Sequence, residues 1–185
     1  MSRLKAMRAY LCGAMDRAHD GGLGWRREAT AWLHSRGVIV LDPTNKPIDI
    51  GLEDVERREY RREKKLAGDY DSLARDLRVI RSVDLRMVDV SDFVIVNLDL
   101  DVYACGTFEE CFLANRQMKP VLIHVEQGKE HVPDWLLGTV PHQMIFSSWD
   151  DMLAYLDHID RSPVVNAMKR WRFFNYQIPS AALEG

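Results

Sequence analysis

The side chains most able to do covalent chemistry gather between Asp84 and Val125. Within that stretch, Cys105-Gly106-Thr107-Phe108-Glu109-Glu110 leads from a strand and loop into a helix. A carboxylate at Glu110 stands just beyond the carboxyl end of a buried strand, where open α/β sheets bind ligands. Backbone amides and the positive helix end would keep it ionised there, which suits a nucleophile. Thr107 and Glu110 also have the T-x-x-E spacing of a capping box, in which Glu110 only reaches back to the N-cap amide. Glu109 points about 100° away around the helix, so one of the two acidic residues can face the site.

Asp84 is the second carboxylate. It stands four residues after Ile80 and four before Val88, on the apolar stripe of the preceding helix. Asp is a poor helix-interior residue, so its place there asks for a reason. A half-buried carboxyl has a raised pKa and can carry a proton near neutrality. One ionised and one protonatable carboxyl is the pairing that cleavage of a glycosidic bond needs. Asp92, at the end of the same helix, reads as a cap for the turn into the strand. Tyr10, in the first strand, is either a core tyrosine or a hydrogen-bond donor that fixes the Glu110 rotamer.

Asn97, Asp99 and Asp101 alternate after a strand, share one face and could bind sugar hydroxyls. No histidine lies among them, so a metal site is not expected. The loop Gly13-Ala14-Met15-Asp16-Arg17 runs on through Gly21, Gly22 and Gly24 to a helix. Glycines before a helix can cradle phosphate, and Arg17, Arg26 and Arg27 keep that open, but neither GxGxxG nor GxxxxGK[ST] is present. Gly13, Asp16 and Arg17 in this loop, with Asn97, Gly106 and Thr107, are the candidate substrate-binding residues. The six histidines have no metal-ligand spacing, no Ser-His-Asp set can be read, and no cofactor is expected.

The elements that must position these groups are short apolar runs alternating with helical patterns. Ala9 to Cys12, Val38 to Leu41, Phe93 to Val96, Pro120 to Val125 and Met144 to Phe146 read as strands. Strands apolar at every position are buried on both faces, as in a parallel sheet covered by helices. Gly24 to Ser35, Leu73 to Ser91, Thr107 to Gln117 and Trp149 to Ile159 read as helices. The alternation predicts an open, doubly wound (flavodoxin-like or Rossmann-like) parallel sheet of about five strands with helices on both faces.

One α/β domain is expected over residues 1–160, with a charged insert at about 44–72 and an aromatic-basic tail over 161–185. Glu53 to Lys65 reads as a solvated helix with internal ion pairs or as a flap over the site. The tail carries Trp171, Phe173, Phe174 and Tyr176 among basic residues. It reads as packing on its own domain or a partner subunit rather than stacking on nucleic acid. With 25 basic and 28 acidic residues the net charge is −3, which argues against a protein that grips a nucleic-acid polymer. The three cysteines, without zinc spacing, suggest a reducing compartment. With no signal peptide or membrane-length apolar run, the expected location is the cytoplasm.

Gly106-Thr107-x-x-Glu110, followed by Ala114 and Lys119-Pro120-Val121, resembles the signature of nucleoside 2-deoxyribosyltransferases and their N-glycosidase relatives. Asp84, 26 residues before Glu110, and Asp92-Phe-Val-Ile-Val-Asn97 resemble the helix and strand before that signature, and Tyr10-Leu-Cys-Gly13 resembles the family's first strand. The similarity covers residues 8–42 and 80–125 and extends weakly to about 156. It implies that Glu110 attacks C1′ of a 2′-deoxynucleoside, that Asp84 supplies a proton to the leaving base, and that Tyr10 positions Glu110. A glycosyl-glutamate ester would then pass the sugar to a second base, or to water in a hydrolase. The partners implied are a nucleoside or nucleotide, a free nucleobase and further copies of the chain in a homo-oligomer. Phe112 replaces a glycine common in the family, and Ala104 stands where relatives tend to be polar. A free nucleoside and a 5′-monophosphate both remain open as substrates, as does a non-catalytic nucleotide-binding module on the same fold.

Overall fold

The computed structural model describes residues 2–15, 20–46, 48, 55–162 and 169–173. In chain order the elements are β1 (Arg8–Gly13), α1 (Leu23–Ser35), β2 (Ile39–Leu41), α2 (Val55–Ala67), α3 (Tyr70–Val90) and β3 (Phe93–Leu98). There follow α4 (Cys105–Arg116), β4 (Val121–Val125), α5 (Asp134–Leu137), β5 (Ile145–Phe146) and α6 (Trp149–Arg161). The strands form one five-stranded sheet in the order β2-β1-β3-β4-β5, and every pairing is parallel. This is the flavodoxin-like order, with its topological switch point between β1 and β3. The expected fold class is borne out.

The central strands are apolar at successive positions because both faces are covered. Every residue of β3 and β4 is buried. Tyr10, Cys12, Val94, Val96, Val121 and Ile123 face a core shared with α3 and α4. Ala9, Leu11, Ile95 and Leu122 face a second core with α1 and α6. Side chains that alternate along a strand thus supply two different interiors. The start of β1 is fixed to β3 by Asp92, whose carboxylate accepts the Arg8 amide at 2.7 Å and the Arg8 guanidinium at 3.2 Å.

Charged Val55–Ala67 is helical, with Lys64 bridging to Asp76 of α3 at 2.8 Å. The side chain of Asp69 caps α3 by accepting the Ser72 amide. At the other end of α3, the Lys119 ammonium donates to the carbonyls of Val88 and Asp89. Trp171 is buried against Phe93 and Tyr155 and donates its indole N–H to the Tyr155 hydroxyl at 2.9 Å. Phe174 and Tyr176 lie outside the described residues. Among the described residues, no helix is long and apolar enough to cross a membrane.

Candidate active site

A cavity of about 260 Å³ opens between the β1–α1 loop, α3 and the first turns of α4. It lies at the carboxyl ends of β1 and β3, the switch point of the sheet. Asp84 of α3 and Glu110 of α4 both line it, with Gly13, Gly106 and Thr107. The packing of α3 against α4 brings the two carboxylates to one space from 26 residues apart in the chain.

Glu110 is held from below by β1. The Tyr10 hydroxyl donates to Oε1 at 2.9 Å, and the Cys12 thiol donates to Oε2 at 2.9 Å. Tyr10 and Cys12 are two apart on one strand, so both point to the α4 face. This settles the rotamer of Glu110 and sets aside the capping box. The N-cap of α4 is Ala104, which makes no side-chain cap, and the helix begins at Cys105, so Thr107 is already inside it. Glu110 is its sixth residue, beyond the free amides of the first turn. The expectation that the helix end holds it ionised is therefore corrected. Burial pushes its pKa up to about 7, against the two hydrogen bonds that favour the carboxylate. Burial likewise raises Tyr10 and Cys12 well above their ordinary range, so both remain protonated donors.

Asp84 is 6% exposed and sits beside Lys46, with Nζ–Oδ1 at 2.7 Å. Burial raises its pKa; the Lys46 ammonium and, more weakly, Arg26 pull it back. Glu109 turns to Arg81 instead of the cavity floor, and the pair stands at the exposed rim. Both glutamates border the cavity, but only Glu110 reaches β1.

The other expected contacts are placed differently. The backbone of Gly13 lines the cavity, and a side chain there would meet the Trp25 ring at 2.8 Å and the Asn97 carbonyl at 3.0 Å. Asn97 faces the opposite core. Its amide nitrogen donates to Glu126 at 2.8 Å, and its oxygen lies 2.7 Å from His124 Nδ1, so it is not brought to the cavity. Gln127 ties Asp99 and Asp101 together at 2.7 and 3.1 Å. Asp16 and Arg17 lie outside the described residues. The glycine loop presents its Gly22 and Gly24 amides to the carboxylate of Asp20, both at 2.7 Å, so an internal anion occupies the amides that could cradle a phosphate. Arg26 is 1% exposed and donates to the carbonyls of Gly13 at 2.8 Å and Gly22 at 2.9 Å. It serves the loop's shape rather than a free anion.

Sequence reasoning missed Cys12, Lys46 and the structural use of Arg26. The period of two from Tyr10 could have found Cys12. Nothing local marks Lys46, because its partner is 38 residues away. Among the described residues there is no group of His, Cys, Asp and Glu that could hold a metal ion.

A 2-deoxyribosyltransferase from the psychrotolerant bacterium Bacillus psychrosaccharolyticus matches this structure with a TM-score of 0.52. The two chains are 16% identical, and the match covers 80% of this chain and 95% of that one. The fold is that of the deoxyribosyltransferase. A Clostridium botulinum CMP N-glycosidase matches at a TM-score of 0.43 and 15% identity, over 81% of this chain and 98% of that one. No protein-family model and no curated protein matches the sequence. The solved structure therefore agrees in fold with the family resemblance that Gly106-Thr107-x-x-Glu110 and Tyr10-Leu-Cys-Gly13 carry.

Proposed function

We propose that this chain cleaves the N-glycosidic bond of a 2′-deoxynucleoside and transfers the deoxyribose to a second nucleobase. The observation that carries the reading is the Glu110 carboxylate, gripped on both oxygens by β1 and facing Asp84 across a nucleoside-sized cavity. Glu110, ionised, attacks C1′. The C1′–N bond breaks with its electron pair passing to the base, and Asp84 gives that base its proton. A second base then opens the ester on Glu110 and gives its N–H proton to the Asp84 carboxylate, so two displacements leave the anomeric configuration retained. Tyr10 fixes the attacking oxygen. Gly13, Gly106 and Thr107 shape the wall on which the sugar rests.

The occupied amides of Gly22 and Gly24 support a free 5′-hydroxyl over a 5′-phosphate. The test is chromatographic. Purified protein is incubated with deoxynucleosides, ribonucleosides and their 5′-monophosphates, each with and without a second free base. A new deoxynucleoside formed only with the acceptor base is expected. Release of sugar phosphate from a monophosphate would make it a hydrolase instead. No turnover of any member of the panel would sink the enzymatic reading.

A further inference from the structure

We propose that Lys46 is a positioning residue for the acid that serves the leaving base. Its ammonium fixes the Asp84 carboxyl at the cavity wall and stabilises the carboxylate that remains once the proton has gone. This deepens the glycosidic reading of the site and rests on it.

The placement of Lys46 is built by a short turn after β2. The Asp42 carboxylate accepts the Thr44 amide at 2.8 Å and the Thr44 hydroxyl at 2.7 Å, and the Asn45 amide donates to the Asp42 carbonyl at 3.0 Å. Arg26 pairs with the same Asp42 at 3.6 Å, anchoring the turn to α1. The next residue is Lys46, whose side chain is fully removed from solvent. Taking an ammonium out of water is expensive unless a carboxylate meets it in good geometry, and Asp84 does so at 2.7 Å. Pro43 and Asp84 line the cavity, whereas Lys46 stands behind them. It can act on a substrate only through Asp84.

Among the described residues, four charged or titratable groups act on Asp84: Lys46 from the turn after β2, Arg26 from α1, Glu110 from α4 and Tyr10 from β1. Tyr10 remains neutral, and the terminal nitrogens of Arg26 are spent on backbone carbonyls. Lys46 is the cation in contact. The reacting form holds one proton between the two carboxyls, on Asp84 and not on Glu110. In the step the Glu110 lone pair forms the C1′–O bond, the C1′–N electrons go to the base, and the Asp84 O–H proton follows them. Asp84 ends as a carboxylate facing an ammonium, so proton delivery is favoured at the moment the base departs.

Two readouts test this. In free protein carrying carbon-13 aspartate, the Asp84 carboxyl should titrate about one to three pH units higher in Lys46→Met than in wild type. Lys46→Arg should stay close to wild type. In turnover, Lys46→Met should lose about ten- to a hundredfold in kcat with KM within a few-fold. The limb of its kcat/KM profile that reports Asp84 should move to higher pH. A purely structural lysine would lower activity at every pH without moving that limb. Should the methionine variant fail to fold, Lys46→Gln takes its place in both measurements. Coincident Asp84 titrations in wild type and the uncharged variant would overturn the proposal. A wild type that cleaves nothing would overturn the glycosidic reading instead, and the carboxyl titration would still report on Lys46.

Discussion

On the α1–α6 side of the sheet, His124 stacks on Trp149 at 4.8 Å, Trp149 on Trp25 at 5.6 Å, and the Arg26 guanidinium lies over Trp25 at 4.6 Å. On the α3–α4 side, Tyr10, Cys12, Asp84 and Glu110 converge on open space. Both faces bury polar groups, and both draw on the same strands. They differ in how those groups are matched. Asn97 meets His124, and burial lowers the His124 pKa, so the ring sits neutral among aromatics. Asp160 accepts the Leu4 amide at 2.8 Å and the Ser2 hydroxyl at 2.7 Å, and its pKa is lowered. Glu110 has its donors too, yet burial outweighs them and leaves it poised near neutrality beside another carboxylate. A matched polar group stabilises. A carboxylate held against its own ionisation at a cavity is set up to react.

That contrast can be broken at several points. The largest effect is expected from Glu110→Gln, which should lose on the order of 10⁴-fold or more in kcat while still binding nucleoside. Near-normal turnover in this variant, with Glu109→Gln dead, would move the chemistry to the rim. Next comes Trp171→Ala on the far face, expected to lower unfolding stability by about 3–5 kcal/mol in urea titration. Folded Trp171→Ala should turn over normally, and a fall in kcat at low temperature would mean the two faces are coupled.

The third effect is smaller and has the opposite sign. The folded protein binds the Glu110 proton more tightly than the unfolded chain does. Wild-type stability should therefore fall as pH rises from the ordinary carboxylate range through about 7. Glu110→Gln removes that dependence and should be more stable than wild type by about 3 kcal/mol at pH 8, the gap narrowing towards pH 5. Equal stabilities at both pH values would show that Glu110 is not held against ionisation. Finally, Arg81→Ala opens an exposed ion pair at the rim and should change stability by about 0–1 kcal/mol in thermal melts. A much larger loss would make the rim part of the site.

Most of the fold was legible because burial on both faces writes itself as unbroken apolar runs. The stretches Phe93 to Val96 and Pro120 to Val125 admit little else. Glu110, Asp84 and Tyr10 were legible as a group because motif spacing and strand alternation are local. The start of α4 was misplaced at Thr107 because it is set by backbone geometry at Ala104, one turn earlier than the T-x-x-E pattern suggests. Asn97 was misread for another reason. It follows a strand at the ligand end, but its side chain falls on the opposite face, where His124 waits. Lys46 and Asp20 were illegible as to role, since one depends on a contact across the fold and the other on which anion wins a set of loop amides.

Helix α3 also works as a ruler whose zero mark is at its far end. Lys119 pins the carbonyls of Val88 and Asp89, and Gln117 holds the Asp89 carboxylate at 2.6 Å. Both come from the turn that ends α4, the helix carrying Glu110. Asp84 is thus measured off from the Glu110 side, about one helical turn back from the pin. Residues can be added or lost ahead of α3 without changing the span between the two carboxylates. A single insertion between Asp84 and Val88 would swing Asp84 about 100° off the cavity. The few residues after Asp84 are the ones whose number is fixed.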